Sequence, residues 1–438
     1  MKKRIVSLLT ASLLTLGSQT SWGDDLQDVF QLALESDPQL QAAAAARQAV
    51  EQSEPQARAL LLPNLNFTAD LSRDRVDVDG RPTRTANSEA YFVSLVQPVY
   101  RRDRWVQLRQ ASARIAQAQA QYEATAQNLV VRTADSYFNV LAARDNLEFT
   151  QALKEAFARQ LEQAKQRFEV GLVAITDVHE AQASYDSAVA QEIAAENQLS
   201  SAREALRQLT GRVHEHLAGL IEDVPLQAPD PQDPEAWAQT ALDENLQLIA
   251  ARYATEVAQQ EIERRRSGHY PTVDLVGRHG WNEGGISGAG DGTAPDQESS
   301  SISLQLSVPL YTGGLVTAQT REARHLFEQA VAQQEDQRRA TLRQAQDAYR
   351  GVITSISQVK ALRQAVISSE SALEATQAGY EVGTRTIVDV LDATQRLYAA
   401  RRDYARSRYD YVLNVLRLKE AAGSLSEEDV RLVNAWLK

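Results

Sequence analysis

The chain has 438 residues, no cysteine, 6% aromatic residues and a formal charge of −12. Disulfides and thiolate metal centres are therefore excluded, and the acidic balance makes nucleic acid a poor partner. The length allows two or three domains, and an alanine- and glutamine-rich, aromatic-poor composition favours long, thin helices over one thick core.

The N-terminus carries Lys2, Lys3 and Arg4, then a short apolar run over residues 5–16, then small residues around Ser21 and Gly23. Residues 1–23 read as a secretory signal peptide, too short to span a bilayer. Its loss takes the formal charge to −15, with 43 basic and 58 acidic residues left. No other segment reaches about 18 uncharged apolar residues, so no transmembrane helix is expected. An exported, cysteine-free, helix-rich chain suits the envelope of a Gram-negative bacterium.

Residues 25–58 follow a helical pattern, with breaks expected at Pro38 and Pro55. Leu65, Phe67, Ala69 and Leu71 then alternate with Asn64, Asn66, Thr68, Asp70 and Ser72, a period of two that predicts a strand with one wet and one apolar face. Residues 73–88 read as a polar loop, and Tyr91, Val93 and Leu95 open a second strand ending at Pro98. From about residue 103 to 166 the pattern is helical without a proline, a rod of roughly 95 Å. Gly171 breaks it, and another long helix runs to Leu209.

The second half repeats this order. Residues 168–178 read FEVGLVAITDV and residues 380–390 read YEVGTRTIVDV, 212 positions apart. Pro98-Val99-Tyr100 recurs as Pro309-Leu310-Tyr311, Tyr137 as Tyr349, and Ala33-Leu34 as Ala241-Leu242. Such self-similarity means two copies of one structural unit, here 24–230 and 231–438. The predicted strands are about 62–73, 90–100, 271–281 and 300–311. The predicted long helices are about 102–167, 173–209, 313–379 and 386–422. A glycine-rich loop spans 284–296.

Two features define the architecture. Val178, Tyr185, Glu192, Leu199 and Leu206 recur every seven residues, as do Ala181, Ala188, Ala195, Ala202 and Leu209. The same seams return 212 residues later, and their small residues permit close helix approach, as in coiled coils. The strands are about ten residues long with dyad alternation, the pattern of outer-membrane barrel strands. Tyr91, Phe92 and Trp281 sit at one end and Tyr100, Tyr270 and Tyr311 at the other, as two interfacial belts would. Four strands cannot close a barrel, and open edges do not survive in lipid. Three chains would supply twelve strands.

These residues resemble the TolC-type outer-membrane efflux protein (outer membrane factor) family. QRFEVGLVAITDV over 166–178 and AGYEVGTRTIVDVLDAT over 378–394 are the most specific segments, with ALLLPNL (59–65), SYFNVLAA (136–143), SVPLY (307–311) and GGLV (313–316) in support. The chain ends at Lys438, without the long polar tail of the best-known members. The resemblance implies a mainly α fold with membrane β: a homotrimeric duct with a twelve-stranded shared barrel and a coiled-coil α-helical barrel. It also implies an equatorial belt including about 210–240 and 421–438. It further implies passive export of drugs or secreted proteins, driven by an inner-membrane pump (a drug–proton antiporter or ABC exporter) through a periplasmic adaptor.

The resemblance also assigns roles. Asp389 and Asp392 would form acidic rings at the periplasmic entrance. Tyr380 and Arg385 would latch the gate by hydrogen bonds and a salt bridge to Thr176 and Asp177. Gly171 and Gly383 would turn the helical hairpins at the tip. By spacing alone, Arg385, Asp389, Asp392 and Arg396 fall at i, i+4, i+7 and i+11 on one helix face, which a solvated surface with an ordinary Arg–Asp pair also satisfies.

Other motifs read as ordinary structure. His214 and His216 are too close in sequence to align on a helix and lack a third ligand. The glycine-rich loop has no P-loop lysine. No catalytic constellation stands out, and neither enzymatic activity nor a cofactor is expected. Two other classes share the long helices. A structural or adhesive coiled-coil protein would need no detergent. A periplasmic adaptor would lack the paired alternating strands.

Overall fold

The computed structural model describes residues 24–77, 79–80, 83–284 and 296–438. The signal-peptide segment and the interior of the glycine-rich loop lie outside the described residues. Three short helices open the chain: α1 (Leu26–Ser36), α2 (Pro38–Glu51) and α3 (Ser53–Ala59). Asp37 ends α1 and caps α2, its carboxylate accepting from Leu40 N, with Pro38 at the first helical position where no N–H is needed. The second break falls at Gln52 and not at Pro55. Pro55 sits in the first turn of α3, where its missing donor costs nothing.

Four strands follow in two pairs, β1 (Asn64–Val76) and β2 (Arg84–Tyr100), then β3 (Thr272–Gly284) and β4 (Gln297–Ser307). They form one antiparallel sheet in the order β1-β2-β3-β4. The first hairpin is longer than its hydrophobic pattern. Residues 73–76 and 84–88 belong to the ladder, with Arg73 opposite Asn87, and only 77–83 lie between the strands. Apolar alternation stops once both faces are polar, while backbone pairing continues. At the far end, Val308 and Leu310 keep the alternation, but β4 stops at Ser307 ahead of Pro309, which has no N–H to give.

The long helices are α4 (Arg102–Glu169, 68 residues) and α8 (Leu315–Glu381, 67 residues), each about 100 Å at the helical rise. Their partners α5 (Ile175–Thr210) and α9 (Ile387–Ala422) have 36 residues each. Between the repeats lie α6 (Pro234–Glu244) and α7 (Leu246–Arg266), and α10 (Glu427–Asn434) closes the chain. The duplication is geometric as well as textual. Gly171 and Gly383 have φ of 76° and 79°, and Gly211 and Gly423 have 70° and 82°, each pair 212 residues apart.

Two cores hold the helices together. One lies at mid-length, where Tyr137, Phe138, Leu206, Tyr411 and Leu416 are buried with α1 and α10. There the backbone of 216–221 is gripped on both sides, by Asp24 in a parallel bridge to Leu217 and by Leu437 in an antiparallel bridge to Leu220. The other core lies near the hairpin turns, from Leu153, Phe157 and Leu161 to Ala181, Ala188, Ile387 and Leu391. Ala181, Ala188 and Ala195 point into the helix pair, which is why that seam carries the smallest side chains.

Candidate functional site: the sheet face and the helical tip

The register fixes the two faces of the sheet, because directly opposed residues lie on the same side. Leu65 pairs with Leu95, Phe67 with Val93, and Ala69 with Tyr91; Leu95 continues to Gly277 and Ile302, and Leu275 to Leu304. This side is mostly apolar, with His279 and Ser300 interrupting it on β3 and β4. Phe67 (67%), Leu71 (70%), Ile302 (83%) and Leu304 (68%) are largely exposed on it. The opposite side carries Asn64, Asn66, Thr68, Asp70, Ser94, Arg278, Ser301 and Ser303. Tyr91 lies opposite Trp281 at one end of the apolar side. The outer strands β1 and β4 each have one unpaired edge.

At the far end of the molecule, both hairpin turns have the same closure. Gly171 N donates to Phe168 O (2.9 Å) and Leu172 N to Arg167 O (2.8 Å); Gly383 N donates to Tyr380 O (3.2 Å) and Thr384 N to Gly379 O (2.8 Å). Each is a Schellman arrangement with the glycine in the left-handed conformation that side chains disfavour. Leu172 and Val382 are exposed at the tip.

Asp389 is the third residue of α9 and closes a capping box. Its carboxylate accepts from Thr386 N and Thr386 Oγ1 (2.9 Å each), while its own N–H donates to Thr386 Oγ1 (3.3 Å). These hydrogen bonds, backbone first, hold its carboxyl below the usual carboxylate range, with Arg385 adding charge attraction. Arg385 is not on the helix, because Thr386 is the extended N-cap; the expected four-residue helical series therefore begins at Asp389. Asp392 is exposed and pairs with Arg396.

Tyr380 is buried, and its hydroxyl has no partner among the described residues. Arg385 and Asp177 form no ion pair with each other there, and Thr176 Oγ1 reaches only Asp177 Oδ1 at 3.5 Å. The chain therefore brings Tyr380, Arg385 and Asp389 to one turn and Thr176 and Asp177 to the other, without bonding the two sets. His214 is committed elsewhere, with its ring nitrogens 2.7 Å from Asp24 Oδ2 and 2.9 Å from Thr210 Oγ1.

Four residues toward the tip are additional to the sequence reading. Gly379 leaves room for Arg385, since a Cβ there would come within 2.7 Å of Arg385 Cγ. Arg167 stacks on the Tyr380 ring. Gln160 donates to Thr394 Oγ1 at 2.9 Å, a buried polar pair joining α4 to α9. The 212-residue offset places Gly379 against Arg167 and could have flagged both. Gln160 and Thr394 carry no sequence signal, because one polar residue in a long amphipathic helix looks like any other.

A four-stranded sheet with a largely apolar exposed side, set on paired coiled-coil hairpins, is the build of an outer-membrane channel protein with a periplasmic extension. The family model for Outer membrane efflux protein matches residues 29–212 and again 237–424, one match per repeat. The chain belongs to that family, and it is an outer-membrane exit duct. It is 42% identical to outer membrane protein TolC of Vibrio cholerae, over 100% of this chain and 99% of that protein. Alkaline protease secretion protein AprF of Pseudomonas aeruginosa is 32% identical, over 99% and 91%. Among solved structures, the CmeC outer membrane channel of Campylobacter jejuni superposes with a TM-score of 0.80 over 100% of this chain and 98% of that one. At 15% identity that likeness speaks to the fold.

Proposed function

We propose that three copies of this chain close a twelve-stranded barrel in the outer membrane and continue as a helical tunnel across the periplasm. One observation carries the reading: a four-stranded sheet with a largely apolar exposed face, interrupted by His279 and Ser300, and two open edges among the described residues. An apolar face of that extent is not left bare in water, and an unpaired edge does not persist in lipid. A second copy offers β4 to β1, and threefold closure removes every edge.

The duct is passive and not an enzyme. A periplasmic adaptor and an inner-membrane pump, a drug–proton antiporter or an ABC exporter, dock at the helical tip and supply the energy. The efflux family and the alkaline protease secretion relative support cargo ranging from effluxed small molecules to secreted proteins. Asp389 and Asp392 form the acidic entrance, Thr176, Asp177, Tyr380 and Arg385 the latch, and Gly171 and Gly383 the turns. Threefold symmetry brings the latch residues of adjacent subunits together.

The chain has no cysteine, so introduced thiols report one contact at a time. Thr68→Cys on β1 combined in turn with Ser301→Cys, Ser303→Cys or Gln305→Cys on β4 should give an oxidation-dependent covalent trimer for one register. A ladder stopping at monomer for all three pairs overturns the shared barrel. A heat-sensitive oligomer in the outer-membrane fraction and conductance in a planar bilayer complete the test.

A further inference from the structure

The mature chain is strongly acidic, yet the region where the strands meet the helices is basic. Segments 54–64, 101–110, 260–274 and 311–324 hold ten arginines against six carboxylates, a local surplus of four positive charges. The ion pairs do not consume it. Glu263 is shared by Arg102 (3.1 Å) and Arg109 (3.5 Å), and Glu261 by Arg264 (2.5 Å) and Arg265 (2.7 Å). Arg266, Arg321 and Arg324 are exposed and reach no carboxylate within 4.0 Å among the described residues.

Helix electrostatics does not explain the arrangement. The arginines at the C-terminal end of α7 suit its dipole, but Arg101, Arg102 and Arg104 crowd the N-terminus of α4, where cations are disfavoured, and no side chain caps that end. Arg101 pairs with Asp274 and Arg102 with Glu263, while Arg104 donates to Leu60 O and reaches no carboxylate within 4.0 Å among the described residues. The geometry is directional. At 100° per residue, Arg102, Trp105 and Arg109 share one side of α4, and Arg321 and Arg324 share one side of α8. Arg102 and Arg109 line a groove of about 580 Å³ with Arg252, Glu263 and Gln334, where α4, α7 and α8 meet. Trp105 is 52% exposed on it. An exposed indole among arginines, one turn beyond the apolar face of the sheet, marks a membrane interface and not a water-filled lumen.

We propose that this arginine collar seats the phosphate groups of anionic phospholipids in the periplasmic leaflet of the outer membrane. The inference rests on the barrel reading above, which sets the height of the collar relative to lipid. Arginine's planar fork suits phosphate oxygens, and the apolar sheet face above accepts the acyl chains. The collar would fix the duct's depth in the bilayer and hold it upright while adaptors load its far end.

The test uses the full mature protein in nanodiscs of phosphatidylcholine with or without phosphatidylglycerol, and the variant Arg266→Gln/Arg321→Gln/Arg324→Gln, which breaks none of the ion pairs above. Each basic residue near an anionic surface is worth roughly fivefold in lipid affinity, so the triple variant should retain at least about tenfold less phosphatidylglycerol after detergent exchange. Conductance and ion selectivity should be unchanged. Equal retention by wild type and variant overturns the collar. So does a shift in ion selectivity, which would put these arginines in the lumen. Thermal stabilisation of detergent-solubilised protein by inorganic phosphate, matching that by phosphatidylglycerol, would make the site a plain anion site and also overturn it. If wild type itself neither conducts nor forms oligomers, the barrel reading has failed and not the collar alone.

Discussion

The guanidinium of Arg167 lies over the ring of Tyr380, 4.6 Å from its centroid, and joins the ends of the two repeats. In the first repeat the residue matching Tyr380 is Phe168, which is 41% exposed, whereas Tyr380 is 8% exposed. The residue matching Arg167 in the second repeat is Gly379. Duplication supplied two equal hairpins, and this swap made them unequal: one tip aromatic faces outward and the other is sealed beneath an arginine. An asymmetric tip is what a tunnel needs if one hairpin is to move against the other.

The Tyr380 hydroxyl is buried without a partner among the described residues. Removing an unsatisfied buried hydroxyl costs a single subunit nothing, so Tyr380→Phe should leave thermal stability equal or slightly higher. If the hydroxyl is instead satisfied across subunits in the closed trimer, the same substitution frees the gate. Tyr380→Phe with Arg385→Ser should raise single-channel conductance in a planar bilayer, with no loss in unfolding temperature. Unchanged conductance would discard the latch.

The pair Gln160–Thr394 sits between the two hairpins inside the lower core. The Thr394 hydroxyl donates to Val390 O at 2.7 Å, and Gln160 Oε1 has no partner among the described residues. Thr394→Val alone strands a buried amide and should destabilise the fold by about 1–3 kcal/mol. Gln160→Leu with Thr394→Val should recover most of that loss, because neither partner is then left unsatisfied. A double-mutant cycle in thermal or denaturant unfolding reads the coupling; additive losses would mean the two side chains act independently.

The sequence reading and the structure part company in instructive places. Period-two alternation located the strands, because successive side chains of a strand point to opposite faces and one face here is mostly apolar. It failed where the apolar face ends: Arg73 opposite Asn87 is paired as firmly as Phe67 opposite Val93, but no apolar residue marks it. Repetition at 212 residues placed the glycine turns, since a positive φ leaves glycine as a visible trace. Glu192 stood out in an apolar heptad series, and its reason is Lys154, which reaches both of its carboxylate oxygens at 2.8 and 2.7 Å. Arg385 was assigned to a helix face by spacing alone. Thr386 caps the helix one residue later, and spacing carries no information about where a helix begins.

Asp37 joins α1 to α2 and is held by Arg132 at 2.6 Å. Burial alone would raise its carboxyl, but the Arg132 hydrogen bonds and charge, with the backbone N–H of Leu40, bring it below its ordinary value. A folded-state value below the unfolded one, about 3.9, stabilises the protein above that pH, and the contribution fades as pH falls through the folded value. Asp37→Asn keeps an N-cap acceptor and removes the charge. It should cost about 1.5–3 kcal/mol near neutral pH, the worth of hydrogen bonds to a charged group. The gap in unfolding temperature between the two proteins should be constant from pH 7 to about pH 5 and should close below about pH 4. A gap that persists undiminished at pH 3 would mean that shape, and not charge, makes Asp37 important.

Asp389 and Asp392 are chemically distinct although only three residues apart. Asp389 is engaged by the Thr386 cap and stays ionised below the ordinary carboxylate range. Asp392 is exposed and shares its charge with Arg396. Replacing either by alanine would confuse charge loss with cap loss at Asp389, so asparagine is the informative substitution. If three copies of each face one entrance, multivalent cations should block the wild-type channel from the periplasmic side. Asp389→Asn should abolish most of that block, because Asp389 forms no ion pair among the described residues, whereas Asp392 is paired with Arg396. Asp392→Asn should weaken it less, and Arg396→Gln should strengthen it by releasing Asp392. Acidification should relieve the Asp389-dependent part of the block only below the usual carboxylate range. Block that survives the double Asn variant at neutral pH would place the cation site away from this turn.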